Sequence, residues 1–201
     1  MLDTYARPFV DPAVNAIARL LRRARMTPNA VTVAAMLIGV GAACCVALHW
    51  LWSGIVLLWV SGILDAADGA LARMTLSDPF GAILDITFDR IVEIAMIVAL
   101  AWAHPEARFL LVILAGVIAI AMSLFLSIAA ALRNRSAKSF HYAPGLGERT
   151  EAFICLSLMI GAPNHLTAWT IFFLAVLLIT MGQRLRHAAR ALAAQAGERG
   201  S

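Results

Sequence analysis

Charged residues are scarce in this sequence. They make up 14% of its 201 residues, against 62% hydrophobic, and the mean hydropathy is +0.84. A soluble domain carries about 25% charged residues, so this balance excludes one and indicates a chain whose main solvent is the bilayer. Cysteine is nearly absent as well. Cys44, Cys45 and Cys155 all fall in apolar runs. An odd number so placed excludes a disulfide framework, and the three read as small buried hydrophobes. The opening segment, MLDTYARPFVDP, has acid and two prolines where a signal peptide needs an apolar core. No cleaved targeting segment is therefore expected, and the first span is to act as its own insertion signal. No internal repeat is present, which tells against a transporter made of inverted halves.

What the chain does have is a series of long apolar runs. At roughly 20 residues per crossing, its length suits about six spans. They are expected at about 30–50, 53–73, 80–103, 107–132, 150–163 and 167–183. Residues 11–26 read as an amphipathic helix lying on the membrane. Asp11 is placed to cap it and Pro12 suits the first turn. Val14, Ile17, Ala18 and Leu21 share one face, and Asn15, Arg19, Arg22 and Arg23 the other. Basic residues on the polar face fit anionic headgroups, although a topology-setting flank explains them too. Thr27-Pro28-Asn29 has the form of a cap and first-turn proline opening the first span. The expected fold is thus an all-α integral membrane protein: six transmembrane helices plus an N-terminal interfacial amphipathic helix. Its parts are a juxtamembrane segment 1–26, a six-helix domain 27–187 and a basic tail 188–201.

Basic residues are almost missing from one side of this layout. Arg7, Arg19, Arg22, Arg23 and Arg25 precede the first span, and Arg73 closes the second. Arg133, Arg135, Lys138 and Arg149 lie between the fourth and fifth, and Arg184, Arg186, Arg190 and Arg199 follow the sixth. Only Arg108 falls on the opposite side. The positive-inside rule then assigns both termini to the cytoplasm. His49, Trp50 and Trp52 suit the far interface.

Against this apolar background, the stretch from Asp65 to Asp89 stands out. Asp65 and Asp68 are three apart, Asp85 and Asp89 four apart, so each pair shares a helix face. Gly69 lies one turn beyond Asp65, and Gly81 one turn before Asp85. Insertion of one central Asp costs about 2.5–3.5 kcal/mol, so these two pairs together cost on the order of 10 kcal/mol. Protonation, a place near the water interface or a bound cation must offset that. Oxygen-only ligands suit Mg²⁺ or Mn²⁺, and two ions fit four carboxylates. The absence of His and Cys from the stretch argues against zinc. Glu93 continues the Asp85–Asp89 stripe but drifts about 40° per step, so it reads as a bundle-interior polar residue. Arg90 is placed to neutralise either Asp89 or Glu93.

Asp65-x-x-Asp68-Gly69-x-x-Ala72-Arg73, followed by Gly81-x-x-x-Asp85-x-x-x-Asp89, resembles the signature of the CDP-alcohol phosphotransferases. The likeness extends to Thr27-Pro28-Asn29 and the six-span layout, and so covers most of the chain. One feature departs from the pattern: the spacer Met74–Phe80 is one residue shorter than usual, a difference that falls in a turn. The segment AKSFHYAPGLGERTEAF resembles a branch of short inner-membrane members of that family.

The resemblance implies transfer of a phosphate-linked group from a CDP-alcohol to a second alcohol, with release of CMP. It implies that Asp65, Asp68, Asp85 and Asp89 hold the divalent cations and that Asp89 is the general base. It assigns Asp65, Asp68, Gly69, Ala72, Arg73 and Gly81 to the CDP site. It also implies a homodimer in a cell inner membrane; membrane lipids are the expected surroundings, no nucleic-acid partner is expected, and the positive-inside rule puts the site on the cytoplasmic side. The expected reaction moves a phosphatidyl group from CDP-diacylglycerol to a small polyol or its phosphate. The alternative is headgroup transfer from a soluble CDP-amino alcohol to a lipid alcohol. Independent chemistry agrees, since a pyrophosphate needs cations on its oxygens and an alcohol nucleophile needs a base. Arg133, Arg135, Lys138 and Arg149 are candidates for an acceptor or phosphate edge, and positive-inside bias accounts for them equally well. An ion- or proton-coupled transporter is the reading from a different class, since buried carboxylates also mark ion pathways.

Overall fold

The structure, a computed structural model, describes residues 2–75, 79–133 and 149–197, and every regular element among them is helical. The order is α1 (Leu2–Arg23), α2 (Pro28–Ala47), α3 (Leu51–Arg73), α4 (Pro79–Ala103), α5 (Arg108–Arg133), α6 (Arg149–Gly161) and α7 (Leu166–Gly197). Single 3₁₀ turns at Pro105–Ala107 and Pro163–His165 lead into α5 and α7.

Local chemistry sets the boundaries of α2. Thr27 is extended (φ −83°, ψ 148°), its hydroxyl accepts from the Ala30 amide at 3.3 Å, and Pro28 opens the first turn. At the other end His49 takes a left-handed φ of 61°. The Trp50 amide then donates to the Cys45 carbonyl at 2.8 Å and that of His49 to Val46 at 2.9 Å. This is a Schellman closure, which turns the chain straight into α3. Trp50 and Trp52 are exposed at that end.

Six helices follow the positions expected for six spans, and among the described residues four pass as membrane-crossing by length and composition: Pro28–Ala47, Leu51–Arg73, Pro105–Leu132 and Pro163–Ala193. The other two fall short for different reasons. The 25-residue α4 carries Asp85, Asp89, Arg90 and Glu93. The 13 residues of α6 reach about 20 Å at 1.5 Å per residue, less than the ~30 Å hydrocarbon core. Two boundaries also differ from expectation. The first helix begins at Leu2, so Asp11 is not its cap and Pro12 sits inside it, at the loss of one backbone hydrogen bond. The last span and the tail form one 32-residue helix, α7, because its Ala-rich continuation favours helix as strongly as the apolar part does.

Two apolar clusters hold the bundle. The larger joins Val46, Leu58, Met96, Leu100, Leu114, Leu156 and Phe173. The smaller fastens α1 to the last turns of α3, with Val14 and Ala18 against Ala67, Ala70 and Leu71. Cys155 is buried in the larger one, whereas Cys44 is exposed on an apolar helix face, which corrects the expectation that all three cysteines are inside. At Gly39 three helices converge. A Cβ there would stand 2.6 Å from Val92 of α4 and 2.9 Å from the Ser61 hydroxyl of α3. That hydroxyl donates to the Ala35 carbonyl of α2 at 2.7 Å. Glycine at this crossing lets α2, α3 and α4 approach closely and sets the relative placement of the acidic residues that α3 and α4 carry.

Candidate active site

Asp65 and Asp68 lie on the last turns of α3, and Asp85 and Asp89 on the first turns of α4. Antiparallel packing brings these ends together. One carboxylate oxygen each of Asp65, Asp68 and Asp85 lies within 4.8 Å of the others. Asp65 and Asp68 are buried and Asp85 is half-buried. Oδ2 of Asp68 is buried with no hydrogen-bond partner among the described residues. Like charges at such separations repel, and a buried carboxylate oxygen without a donor is costly. A divalent cation relieves both, so the donor set fits Mg²⁺ or Mn²⁺ in oxygen type and in charge.

Asp89 stands apart from that trio and occupies a different position. It lines a small pocket together with Asp65, Thr32, Ser61 and Phe88. It also lines a cavity of about 190 Å³ on the other side of α4, which includes Arg90, Glu93, Thr180 and Arg184. The reason is angular. Asp85 and Asp89 are about 40° apart around the helix at 100° per residue, and Arg90 lies a further 100° round. Asp89 is thus the side chain between two compartments. Arg90 resolves its two possible partners in favour of Glu93, with its Nη atoms on the two carboxylate oxygens at 2.5 and 2.7 Å. Glu93 is buried in the bundle, as expected.

The glycines differ in what they border. A Cβ on Gly81 would meet the Asn29 side-chain oxygen at 2.8 Å, whereas one on Gly69 would meet only Arg73 Nη1, at 3.6 Å. Gly81 therefore serves the closeness of α2 and α4, and Gly69 keeps open a space beside Arg73. Ala72 is half-buried and Arg73 exposed at the end of α3. Arg133 and Arg149 sit at facing ends of α5 and α6 in the sequence, while Arg135 and Lys138 lie outside the described residues. Asn29 and Thr32 of α2 were missed as site neighbours. Thr32 stands beside Asp68 and lines the small pocket. Their three-residue spacing puts them on one face of α2, but it carries no sign of which helices that face meets.

Fold and site together define a class: a helical membrane protein with an oxygen-ligand cation centre at one end of its bundle. The carboxylates gather at that end and are not strung along a path, unlike those of a transporter. The chain belongs to the CDP-alcohol phosphatidyltransferase family, whose pattern matches residues 25–181. It is 31% identical over 169 residues to the inner membrane protein YnjF of Escherichia coli, covering 79% of this chain and 81% of that one. It is 32% identical over 194 residues to the phosphatidylinositol phosphate synthase of Mycobacterium marinum, covering 89% and 82%. Crystal structures of the phosphatidylinositol phosphate synthase of Mycobacterium tuberculosis are similar in fold. The one with CDP-DAG bound has a TM-score of 0.70 at 27% identity, covering 87% of this chain and 92% of that one. The one with manganese and citrate has a TM-score of 0.70 at 26% identity, covering 87% and 88%.

Proposed function

We propose that this protein moves a phosphatidyl group from CDP-diacylglycerol to a hydroxyl of a small polyol or polyol phosphate, releasing CMP. The observation that carries the reading is the place of Asp89, which borders both the pocket of Asp65 and the larger cavity. In that position its carboxylate takes the proton of an acceptor hydroxyl as the hydroxyl oxygen bonds to the phosphatidyl phosphorus. The bond from that phosphorus to the bridging oxygen breaks, and CMP leaves with it. Asp65, Asp68 and Asp85 would hold Mg²⁺ or Mn²⁺, joined by Asp89 if two ions bind. Bound there, the cation neutralises charge on the pyrophosphate oxygens. Gly69, Ala72, Arg73 and Gly81 border the space for the CDP part. Arg73, exposed at a helix end, supplies a guanidinium suited to phosphate.

The membrane setting follows the same reading. All of α2 to α7 cross the bilayer, with α4 tolerating its charges because they face the bundle and the site. Helix α1 lies at the headgroup level with Arg19, Arg22 and Arg23 toward the lipid phosphates. Both termini and the site face the cytoplasm, in accord with the distribution of basic residues. Arg133, Arg135, Lys138 and Arg149 then gather on the site's side of the membrane, where they attract a phosphorylated acceptor. The protein works as a homodimer, in keeping with its family.

CMP release tests the proposal. Purified protein receives Mg²⁺ and CDP-diacylglycerol with glycerol 3-phosphate, inositol, inositol phosphate, serine or glycerol, and Asp85→Asn is the control. Release with one acceptor, absent in the control, is expected. Silence across the panel, with release from CDP-choline or CDP-ethanolamine and a lipid alcohol, would overturn the choice of donor.

A further inference from the structure

The Arg90–Glu93 pair is not part of the carboxylate cluster, and packing alone gives no reason for it. Glu93 is 4% exposed, and both its oxygens are taken by the Nη atoms of Arg90. The pair borders the cavity of about 190 Å³ that Asp89 also lines. The Arg90 Nε is buried there with no hydrogen-bond partner among the described residues. Across the cavity the Arg184 guanidinium lies 5.0 Å over the Phe125 ring. For stability alone, a buried ion pair is commonly matched or bettered by apolar side chains of similar size. Charges at bilayer depth are functional until shown otherwise.

We propose that Glu93 is a positioning residue, holding the Arg90 guanidinium on the cavity wall as a fixed cation for the acceptor beside Asp89. Rotation of a free arginine toward the carboxylate one residue before it would neutralise the base. The two-point grip of Glu93 prevents that and sets the plane of the guanidinium. With Arg184 opposite, the cavity presents two guanidinium groups to one small guest. That geometry suits an acceptor carrying both a phosphate and the attacking hydroxyl. The inference rests on the reading of the cavity as the acceptor side of the transferase.

Three variants test it: Arg90→Lys, Glu93→Gln, and the double Arg90→Met with Glu93→Leu, which removes the charges but keeps the volume. Each is measured for acceptor KM, CDP-diacylglycerol KM, and the rise in melting temperature on adding Mn²⁺. The last reports a folded carboxylate cluster without turnover. The expected result is an acceptor KM raised about tenfold or more, with donor KM and the Mn²⁺ response as in the wild type. A double variant with the wild-type acceptor KM would overturn the proposal and leave the pair a structural one. Donor KM and Mn²⁺ response moving together with acceptor KM would overturn it too, by making the pair part of the fold. Wild-type protein that turns over no acceptor would remove the transferase reading itself. An active wild type with unchanged variants removes only this inference.

Discussion

Replacing Asp68 by Asn should raise stability without metal and shrink the stabilisation that metal gives. Asp68, Asp65 and Asp85 have carboxylate oxygens within 4.8 Å of one another. At that distance two unit charges repel by about 3.5 kcal/mol for an effective dielectric of 20. The Asp68 charge takes part in two such pairs. Screening by water and counterions removes most of their sum, leaving a net relief of about 1–2 kcal/mol when the charge goes. In chelator, Asp68→Asn should therefore melt roughly 2–8 °C above the wild type, given the size of the chain. Saturating metal gives the larger gain to the wild type. At a hundredfold excess over Kd, Mn²⁺ stabilises the wild type by about 2.7 kcal/mol. A site weakened 10- to 100-fold by a missing ligand gains only about 0.4–1.4 kcal/mol at the same concentration. The assay is thermal unfolding in detergent, with chelator and then with a Mn²⁺ titration. An equal Mn²⁺ gain in both proteins, together with a lower melting temperature of the variant in chelator, would refute the assignment of Asp68 as a cation ligand.

Other perturbations probe the remaining parts of the site. Asp89→Asn is expected to lower CMP release by a factor of about 10² to 10⁴, the usual worth of a general base, while donor-induced stabilisation persists; near-normal turnover removes Asp89 from that role. Gly69→Ala meets only an ordinary contact with Arg73 and improves helix propensity by about 0.5–1 kcal/mol, so it should melt higher yet raise the CDP-diacylglycerol KM several-fold. An unchanged donor KM would mean that the open space at Gly69 does not receive the nucleotide. Arg135→Ala combined with Lys138→Ala should raise acceptor KM more than donor KM, and kinetics like the wild type's would return both residues to setting topology.

How much of this was legible beforehand varies with the distance over which each feature is determined. The Thr27 cap and the Pro28 start of α2 are local, and both stand where the residues indicated. The clustering of Asp65, Asp68 and Asp85 needed only two helical spacings and one reversal of the chain. The part of α2 in the site was not legible in the same way. Asn29 meets Gly81, and Thr32 meets Asp68, through packing between residues more than thirty positions apart, which no single-helix pattern encodes. The choice of Glu93 by Arg90 was open for a related reason, since i+3 geometry permits that pair but only burial makes it the better one. Six spans were expected from hydrophobic length alone, and four helices meet that measure among the described residues, because the charges of α4 and the brevity of α6 have no counterpart in an average apolar run.

The two-sided character of α4 has an evolutionary consequence. Phe88 and Val92 look toward α2 and α3, and Asp85 meets the aspartates of α3, while Ile86, Arg90 and Glu93 look into the cavity bordered by α5, α6 and α7. Substitutions on the second face can accumulate without touching the signature on the first. A lineage can thus exchange one guest alcohol for another while its shared chemistry stays intact, with Asp89 as the hinge post common to both rooms. Divergence among such proteins should then be concentrated on one side of a single helix and on the three helices that look at it.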